Sequence, residues 1–95
     1  MNLILTECVL EQVFKERCRQ EQLKRAGAFK HSCADSELNI FEKLAIMMEE
    51  VGEVAQAALQ VNGLNSAHDS ARNLKTELIQ VAAVCVAWAE CMEES

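Results

Sequence analysis

A chain of 95 residues makes one small domain, spanning 1–95, yet 51% of it is hydrophobic. A domain this short buries only about two thirds of the surface it exposes when unfolded, so the apolar supply exceeds what one thin core can absorb and points to oligomerisation. Fifteen acidic residues against nine basic ones, a net charge of −6, exclude a nucleic-acid polymer as partner and leave either a solvated surface or a site for hard cations.

The first predicted helix covers about 6–26. Val9, Leu10, Val13, Phe14 and Leu23 recur at spacings of three and four. Lys24 and Arg25 sit in the last turn, where they complement the helix dipole, and Gly27 is placed to cap it. The segment from Gly27 to Asn39 reads as a loop with room for a helical turn. It contains His31, read as exposed, and Cys33, read as an inert thiol because no histidine or acid is placed to activate it.

The second predicted helix covers about 39–61. Asn39 is a good N-cap with Glu42 as its capping-box partner, and Asn62-Gly63 is a strong stop signal. Gly52 lies mid-helix, where it costs roughly 1 kcal/mol against Ala and implies close packing or room for a ligand. After a polar loop from Asn62 to Ser70, holding His68, a third helix covers about 70–92. Its centre is apolar nearly all round, so it should be buried on several sides. Trp88 reads as core or interface packing rather than as a platform for a base.

Five cysteines without a CxxC pair argue against a disulfide framework and for a reducing cytoplasm. The N-terminal stretch has no basic region ahead of its apolar residues and does not read as a signal peptide. Residues 78–89 are too short for a membrane span. A soluble, cytoplasmic, all-α protein with no membrane partner is the expectation.

The chemistry gathers on the second and third helices. Glu50 and Glu53 lie about 60° apart, one turn along the same face, and Glu50 shares its side with Ile46, Met47, Val54 and Ala57. Glu77 shares its side of the third helix with Leu74, Val81, Val84 and Trp88. Glu49 sits at the edge, on a polar stripe with Glu42, Gln56 and Gln60. A Glu-Glu pair taken alone is an ordinary solvated face. Acids on two core-facing stripes are costly to ionise unless a cation lies between them, and all-oxygen ligands suit Mg²⁺ or Mn²⁺ rather than zinc. A ferritin-like di-iron centre would need Glu-x-x-His pairs, and neither His31 nor His68 supplies one. Three scattered glycines cannot form a phosphate-binding loop.

The run Lys43-Leu-Ala-Ile-Met-Met-Glu-Glu-Val-Gly-Glu-Val-Ala55 resembles the EExxE helix of the MazG-like, all-α nucleoside triphosphate pyrophosphatases. The run Leu74 to Glu90 resembles their second acidic helix, written ExxD, and the Glu53-to-Glu77 spacing suits the family. The segments Glu16–Gln20 and Lys30–Asp35 are similar to those of small stand-alone members. The resemblance implies an antiparallel helical bundle completed by dimerisation or tetramerisation. It also implies Mg²⁺-dependent hydrolysis of a (d)NTP to (d)NMP and pyrophosphate, a nucleotide-pool house-cleaning activity. Glu50, Glu53 and Glu77 would be metal ligands, with Glu49 a further ligand or the group that activates the water, so that Glu49 and Glu50 carry the catalysis. Gln80 stands where ExxD has Asp; its carbonyl can ligate Mg²⁺ but brings no charge. A catalytically weak or inactive relative, binding nucleotide, metal or a partner protein, is the alternative. Lys43 is the first candidate to hold substrate phosphates, followed by Arg72, Lys75, Arg17, Lys24 and Lys30. Each of these cations also reads as ordinary solvated surface.

Overall fold

The computed structural model describes residues 1–27, 32–61 and 67–94, without the side chains of 67–70. Among the described residues the regular structure is entirely helical: α1 (Leu3–Arg25), α2 (Ile40–Val61) and α3 (Ala67–Glu94). No helix among them is long and apolar enough to cross a membrane.

Local capping sets most of the boundaries. Asn2 opens α1 by accepting the Leu5 N–H on its side chain at 3.1 Å, which starts the helix three residues before the expected Thr6. The other end follows the expectation. The Ala26 and Gly27 N–H groups donate back to the carbonyls of Gln22 and Lys24 at 2.9 and 3.0 Å, and Gly27 takes φ +82°, a left-handed conformation suited to glycine. At α2 the capping box is complete. The Glu42 N–H donates to Asn39 Oδ1 at 2.8 Å and the Asn39 N–H donates to Glu42 Oε1 at 3.0 Å. Between α1 and α2, residues 32–38 form turns held by Asp35 N–H to Ser32 O and Leu38 N–H to Asp35 O.

Two expectations need correction here. Helix α3 begins at Ala67 and runs to Glu94, so 67–70, including the His68 backbone, are helical rather than loop. No glycine or proline lies between Ala67 and Glu94 to stop it. Gly52 is exposed, and a Cβ added there would meet nothing within 4 Å, so among the described residues the close-packing reading fails and the reading of open room beside it remains.

Helix α3 packs against both α1 and α2. Its pairing with α2 is antiparallel: Lys43 meets Cys91, Met47 meets Cys85, and Glu50 and Glu53 meet Glu77. The buried residues are small, among them Cys33, Ala57, Ala83, Val84 and Ala87, which is the thin core that the length implies. Cys33 is buried to 2% with its thiol toward the Lys43 carbonyl. Burial pushes that thiol up, though Lys43 pulls the other way, and a thiol held protonated is a poor nucleophile.

Helix α1 turns few of its apolar residues inward. Its buried and half-buried residues include Val13, Glu16, Arg17, Gln20, Glu21, Leu23 and Lys24, mostly polar. Leu3, Leu10 and Phe14 instead stand 60% exposed or more. What fastens α1 is the guanidinium of Arg17, buried to 7%, whose Nε and Nη2 donate to Glu90 on α3 at 3.1 and 3.0 Å, with Nη2 also donating to Glu21 at 2.6 Å. Arg17→Ala should therefore lower stability by about 2 kcal/mol, the range for hydrogen bonds to charged groups, seen as a lower urea midpoint.

Candidate functional site

The antiparallel packing of α2 on α3 brings three carboxylates together. One oxygen from each of Glu50, Glu53 and Glu77 can lie within 4.8 Å of the others. Glu50 and Glu77 are half-buried and Glu53 is exposed, so the cluster sits at the rim of the interface and opens outward through Glu53. Glu50 Oε2 and Glu77 Oε2 are fully enclosed, and among the described residues neither of these two oxygens has a hydrogen-bond partner, though each carboxyl group also interacts with Glu53. Buried polar atoms without partners are rare in folded proteins because each forfeits its hydration. Two of them belong to carboxylates of one cluster, a group that could hold a metal ion.

The electrostatics agree with the geometry. Burial, followed by the charge of Glu53, a side-chain hydrogen bond with Glu53 and the charges of Glu77 and Glu49, raises Glu50 from 4.5 to about 7. Glu77 is raised as well, first by burial and then by Glu53. Like charges at this spacing disfavour simultaneous ionisation, so without a cation the cluster holds a proton near neutral pH.

Beside the acids lies a cavity of about 340 Å³, whose lining includes Glu50, Glu53, Gln80, Glu16, Arg19 and Cys33. A second cavity, about 430 Å³ and more open, shares Glu16 and Arg19 with the first and adds Lys15, Arg72 and Lys75. Four of the nine basic residues of this acidic chain line this second cavity, whose walls include none of the three clustered carboxylates. Arg19 is the junction. It donates to both carboxylate oxygens of Glu16 at 2.7 Å, and the Glu50 charge acts on it as well.

No family model, curated protein or solved structure matches the chain. Any functional reading consequently rests on the site itself and on the motifs that build it.

The expected site residues separate into groups. Glu50, Glu53 and Glu77 come together, with Gln80 lining the adjoining cavity. Glu49 is exposed and lies outside the three-carboxylate cluster. Arg72 and Lys75 line the second cavity, on a different side of α3 from Glu77 by helical spacing, so they are not brought to the acids. Neither is Lys43. It is buried to 5%, and its ammonium lies 2.8 Å from Cys91 Sγ, fourteen residues and about 21 Å along α3 from Glu77. Arg17 is likewise committed to Glu90 near that far end, and Lys24 pairs with Asp35 in the connecting turns. Lys30 and His31 lie outside the described residues, as does the His68 side chain. Trp88 packs against the buried cluster of Cys33, Val84 and Ala87, the packing role expected of it.

Arg19 is the residue that sequence reasoning missed. Its signal was available in the polar stripe Glu16, Gln20 and their i±3 and i±4 neighbours, which puts hydrophilic side chains on the inward side of α1.

Proposed function

We propose that this chain is a Mg²⁺-dependent nucleoside triphosphate pyrophosphohydrolase of the MazG-like, all-α type, converting a (d)NTP and water to a (d)NMP and pyrophosphate. The observation that carries the reading is the pair of enclosed, unpartnered oxygens of Glu50 and Glu77 beside Glu53, on the two helices whose motifs resemble that family. These three residues would hold Mg²⁺, or Mn²⁺ in its place, and the Gln80 carbonyl could add a neutral donor. The cation would neutralise phosphate charge and fix the substrate's orientation.

The remaining work falls to side chains around the cluster. Glu49 is solvent-exposed next to Glu50 and serves to orient the attacking water or take its proton. Arg19, which lines the same cavity as Glu50 and Glu53, supplies positive charge for the phosphates. A cationic hydrogen bond contributes about 1.5–3 kcal/mol, so Arg19→Gln should raise KM for the nucleotide by roughly ten- to a hundredfold, with circular dichroism unchanged. A surface-only role for Arg19 predicts no change in KM.

A second copy of the chain completes the bundle as a dimer or tetramer. Supporting this, Leu44, Met48, Val51 and Leu59 form an exposed apolar stripe on α2, and Leu3, Leu10 and Phe14 form another on α1. Contiguous apolar patches of this kind mark interaction surfaces.

The test is release of pyrophosphate from a panel of canonical and modified (d)NTPs with Mg²⁺ or Mn²⁺. Folded protein that releases none from any of them contradicts the enzymatic reading. A second reading is a relative that binds nucleotide and metal without turnover, and it is favoured by Gln80, a neutral side chain beside Glu50 and Glu53. Calorimetry with product analysis separates the two, because only the second gives saturable binding with no product.

A further inference from the structure

The contact between Lys43 and Cys91 lies apart from the carboxylate cluster and has no part in the proposed hydrolysis. Lys43, near the start of α2, is one of two charged residues in the buried set, at 5% exposure. A buried ammonium normally takes a carboxylate partner, yet among the described residues none pairs with it, and its hydrogen bond goes to Cys91 Sγ at 2.8 Å. Cys91, near the end of α3, is half-buried. Both side chains line a cavity of about 370 Å³ between Leu38, Ile40 and Trp88, through which a small oxidant can reach the sulfur. An amine nitrogen held against a thiol sulfur, with a path for peroxide, has the arrangement of a nucleophile waiting for an oxidised cysteine.

We infer that Lys43 and Cys91 form a reversible oxidative cross-link, with the lysine capturing the sulfenic acid of the cysteine. In the first step the Cys91 sulfur attacks hydrogen peroxide: an S–O bond forms, the O–O bond breaks and one water leaves. Sulfenic acids condense with a backbone nitrogen to give sulfenamides, and a neutral amine is a stronger nucleophile than an amide nitrogen. In the second step the Lys43 nitrogen, having lost its extra proton to solvent, attacks that sulfur. The S–N bond forms, the S–O bond breaks and a second water leaves. Overall, the thiol, the ammonium and one peroxide give the S–N bond, two waters and one proton, with sulfur oxidised by two electrons and peroxide reduced. The link staples the start of α2 to the end of α3, and a thiol reductant reopens it by attack on sulfur.

The test is peptide mapping by mass spectrometry after stoichiometric peroxide treatment of the full chain. The expected product is a linked pair of peptides, one containing Lys43 and the other Cys91, lighter than their sum by two hydrogens and separated again by a thiol reductant. Cys91→Ser should abolish it. Lys43→Arg keeps the charge but should leave Cys91 to progress to sulfinic acid. If Lys43→Arg does not fold, the Cys91→Ser comparison still decides the matter. Finding Cys91 in folded wild-type protein only as sulfinic acid, or only in a disulfide, overturns the inference. Metal and nucleotide are absent from the experiment, so its outcome is independent of the hydrolase reading.

Discussion

Glu50→Gln, Glu53→Gln and Glu77→Gln are each expected to reduce pyrophosphate release by roughly 100-fold or more, while raising the melting temperature of the metal-free protein. The first half follows from ligand chemistry. Substituting groups that merely support a metal ligand costs about 10–100-fold in affinity or activity, and these residues would be the ligands themselves. Glutamine keeps the length and the carbonyl but removes the charge. The second half follows from the unliganded cluster, in which burial and like charges disfavour ionisation of Glu50 and Glu77. Removing one charge relieves its neighbours, so the variants should be more stable as apoprotein and less active as enzyme. That opposition separates a site residue from a structural one. A variant that loses activity because it no longer folds would show both quantities falling together. The effect should be larger at Glu50, which is half-buried and has an enclosed oxygen, than at exposed Glu53.

Mg²⁺ or Mn²⁺ should raise the melting temperature of the wild-type chain, and the rise should grow with pH. At a hundredfold excess over Kd, a ligand specific for the folded state adds about 2.7 kcal/mol, which for a domain of this size is roughly 10–20 °C. The pH dependence has a definite sign. Glu50 titrates at about 7 in the folded protein against 4.5 as its ordinary value, so between those values the folded state binds more protons than the unfolded one. Stability of the metal-free protein must then fall as pH rises from about 4.5 to about 7, and level off above. A bound cation reverses the penalty by displacing the proton, since a carboxylate ligand must be ionised. The cation-induced rise in melting temperature is accordingly expected to be small at pH 5.5 and large at pH 8, measured by differential scanning fluorimetry. Equal rises at both pH values, or a larger one at the lower pH, would disagree with a cation held by Glu50 and Glu77.

The parts of this fold that depend on short-range chemistry were legible in the sequence. The Asn39–Glu42 capping box and the Gly27 stop are interactions between residues a few positions apart, and helical spacing alone puts Glu50, Glu53 and Glu77 on surfaces that can meet. The beginning of α3 was less legible because Ala67 to Ser70 contains polar residues that suit both a loop and the first turn of a helix. Lys43 was misplaced for a geometric reason. On a helical wheel it shares a side with Glu50, but helical side chains lean toward the N-terminus. A long lysine in the first turn of α2 therefore reaches away from Glu50, toward the end of antiparallel α3, where it finds Cys91. On helix α1 apolar spacing marks a helix but not its inward face. Its inward side instead carries Arg17, which is bound to Glu90, and its apolar residues Leu10 and Phe14 remain exposed within one chain. Sequence periodicity reports where apolar residues lie, but not whether the surface that covers them belongs to the same chain.

The central claim is that Glu50, Glu53 and Glu77 hold a divalent cation, and Mn²⁺ binding followed by electron paramagnetic resonance tests it most directly. Free Mn²⁺ gives a sharp signal that is lost on immobilisation in a protein site. Titrating wild-type protein at pH 8 should give saturable loss of that signal. Binding should tighten when a non-hydrolysable triphosphate is added and be strongly weakened in Glu50→Gln and Glu77→Gln. Free signal that persists in the presence of folded wild-type protein, or binding that is equal in both variants, would contradict the claim.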